Sequence, residues 1–200
     1  MPLRYVALGD SYTIGTSVRP VDRWPDRLVE ALRPDEPTLE LVANLAVNGW
    51  TTDDLIRDEL PALDQLQPTF VSLLIGVNDV VRGFSPIRTE SNLRIILDDL
   101  VRRTGVGRIV TVSVPDYTVT PAGGDYGDPR RRHVGIVAVN AAMAQASAAR
   151  GIAFVDIFDI SLRAADDRTL VANDGLHPSA AQYELWVERI APVVTRLLGR

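Results

Sequence analysis

The sequence predicts an α/β domain in which a parallel sheet carries helices on both faces. Three observations lead there. Five short runs rich in Val, Ile, Leu and Phe recur along the chain, each nearly continuous rather than alternating, which marks strands covered on both sides. Stretches with apolar residues at helical spacing separate them, and such alternation builds parallel sheets. The length of 200 residues, 46% hydrophobic and 24% charged, suits one domain spanning 1–200 rather than two. A chain of this size buries about 70% of its unfolded surface, enough for a core without staples.

The elements follow in order. Arg4–Leu8 is the first strand. Trp24–Leu32 puts Trp24, Leu28, Ala31 and Leu32 on one stripe and reads as a helix. Leu39–Asn44 is the second strand. Thr52–Leu66 opens on a polar cap and contains Pro61, which predicts a kink or a break into two short helices. Phe70–Ile75 is the third strand, and Thr89–Arg103 a helix with Leu93, Ile96, Leu97 and Leu100 at helical spacing. Arg108–Val114 is the fourth strand. Pro129–Arg150 reads as an alanine-rich helix with Asp128 as cap and proline at its first position. Ala153–Asp156 is the fifth strand. In the last helix, Ser179–Leu198, Ser179 and Gln182 stand at capping-box spacing. Two longer connections remain, Val114–Asp128 and Ile157–Pro178, and loops of that length tend to carry function. No internal repeat, linker or low-complexity segment interrupts the pattern.

Composition excludes several chemistries. The chain has no cysteine, hence no disulfide, zinc ribbon, iron–sulfur cluster or thiol nucleophile. Only His133 and His177 are histidines, too few for a multi-histidine metal site. All 21 basic residues are arginine, so a Schiff-base or phosphate-loop lysine is excluded. The net charge of −5 argues against a nucleic-acid partner, whose binding rests on a basic surface. Apolar stretches such as Phe70–Val77 fall well short of the ~20 residues of a membrane helix. No leader precedes Gly9-Asp10-Ser11, so a cytoplasmic location is expected, with secretion open should a leader have been removed. The acidic pairs Asp53-Asp54, Asp98-Asp99 and Asp166-Asp167 read as solvated faces or first-turn acids.

In open parallel sheets the site lies beyond the carboxyl ends of the strands. Four small motifs stand there: Gly9-Asp10-Ser11-Tyr12 after the first strand, Asn44 to Trp50 with Gly49 after the second, Gly76-Val77-Asn78-Asp79 after the third, and Asp174-Gly175-Leu176-His177-Pro178 before the last helix. Each is common alone. Together, in this order, they resemble the four blocks of the SGNH hydrolases, also called the GDSL esterase/lipase family, across essentially the whole chain. Tyr12 departs from the Gly-Asp-Ser-Leu spelling, which bears on the pocket wall rather than the chemistry. The Gly-x-Ser-x-Gly elbow of α/β-hydrolases is missing, since Thr13 stands where its second glycine would.

The chemistry of the residues agrees with the resemblance. A serine hydroxyl needs a base, and His177 is one of two candidates. Asp174, three residues earlier, can fix the ring's tautomer and stabilise the imidazolium. The resemblance implies a three-layer α/β/α sandwich with strand order 2-1-3-4-5, as in flavodoxin-like folds. It implies Ser11 as nucleophile, His177 as base and Asp174 as its orienting carboxylate. An oxyanion hole would come from the N–H groups of Ser11 and Gly49 and the amide of Asn78. The expected activity is hydrolysis of small or short-acyl carboxylic esters through an acyl-serine, with rate rising with pH through titration of the base. No metal or organic cofactor is implied, and the expected partner is a small acyl ester, without stable membrane insertion. Carbohydrate O-deacetylase, lysophospholipase, thioesterase and acyltransferase activities share the same machinery, and a non-catalytic binding module on this fold is the alternative of another class.

Other residues carry plainer readings. Asp10 and Asp79 are expected as structural hydrogen-bonders, and Asn44 and Asn48 as loop-shaping residues. Arg130, Arg131, Arg132 and His133 oppose a helix dipole and read as a solvated basic face partly offset by Asp125 and Asp128, or else as an anion contact. Tyr117, Tyr126 and Phe84 are candidates for the wall of an acyl pocket.

Overall fold

Five parallel strands, β1 (Leu3–Gly9), β2 (Leu39–Asn44), β3 (Phe70–Leu74), β4 (Ile109–Val112) and β5 (Ala153–Val155), run through the computed structural model, which describes residues 2–199. They line up as β2-β1-β3-β4-β5, the order expected. Tyr5 of β1 stands opposite Leu41 on one side and Phe70 on the other, so β1 is central and its last residues open between two neighbours. Around the sheet lie α1 (Ser11–Ile14), α2 (Trp24–Leu32), α3 (Thr52–Asp54), α4 (Leu60–Leu66), α5 (Val77–Arg82), α6 (Pro86–Thr104), α7 (Pro129–Ala148), α8 (Phe158–Leu162) and α9 (Ala180–Leu198).

Alternation along β1 separates two cores. Tyr5 and Ala7 join a cluster with Trp24, Leu28 and Leu32 of α2 and Trp186, Ile190 and Val194 of α9. Val6 and Leu8 join a second cluster with Leu55, Leu60 and Leu63 and with Leu93, Ile96, Leu97 and Leu100 of α6. These side chains are buried, and each contributes roughly 1.5–3 kcal/mol by leaving water. Two covered faces explain the unbroken hydrophobic runs. No helix among the described residues is long and apolar enough to cross a membrane.

One local expectation is sharpened and two are corrected. The break near Pro61 is a π turn, Leu55–Glu59, between α3 and α4. A proline ring collides with the carbonyl four residues back, and the wider turn relieves that contact without ending the helix. Ser179 caps α9 by accepting from Gln182 N, but Gln182 does not complete a box, because its side chain donates to Leu170 O at 2.8 Å. The helices α5 and α8, inside segments read as loop, are only 6 and 5 residues long, too short for periodicity to reveal. Asp128 caps α7 as expected, accepting from Arg131 N at 2.8 Å.

Candidate active site

Residues from four loops at one edge of the sheet meet at a cavity of about 150 Å³. Ser11, Gly49, Asn78 and His177 line it, with Tyr12, Tyr117 and Tyr126.

The turn after β1 has no room for a side chain at its start. Gly9 has φ +151°, and a Cβ there would lie 2.2 Å from Leu74 O, so β1 runs directly against the end of β3. Glu59, in the π turn, accepts from Gly9 N at 2.9 Å. Asp10 caps α1, accepting from Tyr12 N at 3.0 Å, and Ser11 follows as the first residue of the helix. Burial pushes the Asp10 carboxyl up to about 8 against the pull of that N–H, and burial raises Glu59 well above the usual range despite the bond from Gly9. Beside Asn78, Asp79 accepts from Thr52 N at 2.9 Å, Thr52 Oγ1 at 2.6 Å and Thr89 Oγ1 at 2.9 Å, which ties α5 to α3 and α6. Asp10 and Asp79 are thus the structural hydrogen-bonders their positions suggested.

Three of the lining residues, Ser11, Gly49 and Asn78, carry N–H groups that could serve as donors. Neither the Ser11 N–H nor the Gly49 N–H has a hydrogen-bond acceptor among the described residues. Gly49 sits at φ +80°, and its carbonyl accepts from Arg82 Nη2 at 2.9 Å. Asn78 Nδ2 donates to Trp50 O at 2.9 Å; its other contact, to Asp10 Oδ2 at 3.5 Å, is longer than a well-formed bond. Asn44 shapes the loop, donating to Thr13 O at 2.8 Å, whereas Asn48 lines the cavity.

His177 Nδ1 lies 2.6 Å from Asp174 Oδ2. The same carboxylate accepts from Ser17 Oγ at 2.6 Å and, through Oδ1, from the N–H groups of Leu176 at 2.9 Å and His177 at 3.0 Å. Partial burial pushes the Asp174 carboxyl up, but these bonds outweigh it and hold the group well below the usual carboxylate range. The His177 ring packs against Tyr12, centroids 5.4 Å apart, and Nε2 is left without a partner among the described residues. The Ser11 hydroxyl likewise makes no hydrogen bond among the described residues. Ser17 escaped the sequence reading, since its contact spans 157 residues and leaves no local signature.

Tyr117 and Tyr126 stand edge to face at 5.9 Å in the cavity wall. Phe84 does not belong to it. Its ring lies under the Arg88 guanidinium, 3.9 Å away, in a separate cavity of about 200 Å³ beside α5, α6 and α7. The basic segment is only in part a solvated face. Arg132 donates to Tyr126 O at 3.0 Å and to Val80 O, and His133 Nδ1 stands 2.5 Å from Asp116 Oδ2. The acidic pairs serve as caps and ion-pair partners: Asp54 with Thr51, Asp98 with Arg150, Asp167 with Thr169.

A sequence model of the GDSL-like lipase/acylhydrolase family matches residues 7–185. The thioesterase 1/protease 1/lysophospholipase L1 of Escherichia coli K12 is 32% identical over 109 residues, 54% of this chain and 50% of that protein. The chain spans about half the length of the curated relatives it matches. Among solved structures, the lipase/acylhydrolase from Enterococcus faecalis superposes with a TM-score of 0.77 at 21% identity, covering 98% of this chain and 96% of that one. The acetylxylan esterase Axe2 from Geobacillus stearothermophilus gives 0.75 at 20% identity over 96% and 94%. Both share the fold.

Proposed function

This chain belongs to the GDSL-like lipase/acylhydrolase family, and on that premise we propose that it hydrolyses small carboxylic acyl esters through an acyl-serine intermediate. The observation that supports this most is the single cavity lined by Ser11, Gly49, Asn78 and His177, with the ring of His177 held by Asp174. The accepting carboxylate keeps the proton on Nδ1 and leaves Nε2 as the base.

Nε2 takes the Ser11 proton as Oγ attacks the acyl carbon. The oxygen of the tetrahedral intermediate takes hydrogen bonds from the N–H groups of Ser11 and Gly49 and from the second N–H of Asn78. The imidazolium then protonates the departing alkoxide, and water repeats the cycle on the acyl-serine. The bond from Ser11 to His177 forms as substrate binds, as such contacts commonly tighten beyond their free-enzyme geometry.

A cavity of about 150 Å³ is smaller than the roughly 300–1,000 Å³ that enclose drug-sized ligands, which favours a short acyl group. Likeness to the Escherichia coli thioesterase/lysophospholipase makes acyl thioesters the second reading. A fluorophosphonate probe should label Ser11, and p-nitrophenyl acetate and butyrate should turn over faster than an acyl thioester, acetylated xylan or a lysophospholipid. Folded protein that never labels at Ser11 would favour a binding module, and a thioester preference would favour the second reading.

A further inference from the structure

We propose that Arg132 is a positioning residue that ties the two walls of this cavity together and thereby sets the acyl-chain length it accepts. This rests on reading the cavity as an ester site. One wall is the connection after β4, which brings Tyr117 and Tyr126; the other is α5, which brings Val77, Asn78 and Val81. From the first turn of α7, Arg132 spans both. Its Nε donates to Tyr126 O at 3.0 Å, on the first wall, and its Nη1 donates to Val80 O, on the second.

Two further observations show that this seat is built. Gly127 has φ +111°, and a Cβ there would stand 2.8 Å from Arg132 Nε and 3.1 Å from Nη2, so the guanidinium lies directly on the loop backbone. The side chains of Arg130 and Arg131, its neighbours, make no hydrogen bond or ion pair among the described residues. A cation in the first turn works against the helix dipole, so α7 gains nothing from Arg132 itself. The planar fork reaches two carbonyls at once, which an ammonium on a flexible stem does not reproduce.

The root of the loop is held independently. Asn140 donates to Val114 O at 2.9 Å and accepts from Val114 N at 2.8 Å, and His133 holds Asp116. The middle of the loop is held too, by Ala122 N donating to Gly175 O at 2.9 Å and Arg168 Nη1 donating to Val119 O at 3.3 Å, so Arg132 governs the segment beyond Ala122, where Tyr126 stands. Releasing it lets the tyrosine wall move away from α5 and admits a longer acyl chain.

The test compares kcat/KM for p-nitrophenyl octanoate and acetate. In Arg132→Met the octanoate-to-acetate ratio should rise by about fivefold or more, mainly through KM, since one methylene of pocket fit is commonly worth tenfold or more. Arg132→Lys should fall between it and the wild type. An unchanged or lowered ratio in Arg132→Met, or an equal loss on both esters, overturns the proposal. Should that variant not fold, Arg132→Gln, which also removes the fork but keeps a polar side chain, decides by the same criterion. Wild-type protein with neither Ser11 labelling nor turnover of either ester overturns the proposed function, and this inference with it. Normal labelling with an unmoved ratio overturns the inference alone.

Discussion

His177 and His133 are the chain's only histidines, and each holds an aspartate through Nδ1, at 2.6 Å from Asp174 and 2.5 Å from Asp116. Their burial is reversed. The His177 side chain is 9% exposed beside an Asp174 that is 29% exposed, whereas His133 is 43% exposed over an Asp116 that is 0% exposed. Asp116 also accepts from Thr118 N and Thr118 Oγ1, so His133 closes a satisfied buried carboxylate and fastens the root of a loop. The surroundings differ as well. His133 packs on Phe158, while His177 shares its cavity with Ser11. A histidine–carboxylate contact therefore says little about chemistry by itself; what faces the other ring nitrogen decides.

Breaking the first pair should have the largest effect. His177→Ala is expected to lower kcat/KM on a short p-nitrophenyl ester by about 10⁴–10⁶-fold with the fold intact by circular dichroism. Turnover within tenfold of wild type would strip His177 of its role. Asn78→Ala should cost about 10²–10³-fold, mostly in kcat, as expected for one oxyanion donor. An effect confined to KM would instead make Asn78 a substrate-binding or loop-holding residue.

A third experiment sharpens the contrast between carboxyls beside Ser11. Asp174 is held ionised, but Asp10 is held protonated in the folded chain up to about 8, against 3.8 for the free group. The folded state then binds more protons between those values, so the stability from Asp10 is full in acid and is lost as pH rises toward 8. Asp10→Asn keeps a good cap without the charge, and should lessen the fall in urea-unfolding free energy between about pH 5 and pH 8, by on the order of a few kcal/mol. Identical pH slopes in the two proteins would mean that Asp10 is ionised after all.

The smallest effect on activity is expected from breaking the second pair. His133→Gln should leave kcat/KM on the acetyl ester within about threefold while removing roughly 1–2 kcal/mol of stability, about 2–8 °C in Tm for a chain of this size. A hundredfold loss of turnover at unchanged Tm would erase the distinction between the two histidines.

Fold and site differ in how much of them local sequence carries. Strand runs such as Phe70–Ile75 and helices such as Trp24–Leu32 could be read because their burial is periodic or continuous over several residues. Ser11, Gly49, Asn78, Asp174 and His177 could be singled out because each stands just after a strand or just before a capped helix, where an open sheet exposes side chains. The π turn could not, because it depends on how the helix around Pro61 packs and on Glu59 reaching Gly9, 50 residues away. Gln182 looked like half of a capping box, but the carbonyl of Leu170, a tertiary neighbour, captures its amide. The basic run at Arg130–His133 invited a surface reading because charge pattern does not reveal which carbonyls a folded loop will present. Phe84 was misassigned for a related reason: it follows α5, whose successive residues Val80 and Val81 face different cavities.

The contact between Ser17 and Asp174 has one more consequence. It joins positions 157 residues apart, with Ser11 just before the first and His177 just after the second. At about 5–20 residues per second, a ribosome needs on the order of ten to thirty seconds to add the second after the first. Through that interval the emerging polypeptide carries a serine with no base beside it. On the proposed assignment, every copy abandoned before the final loop is synthesised lacks the base for its nucleophile.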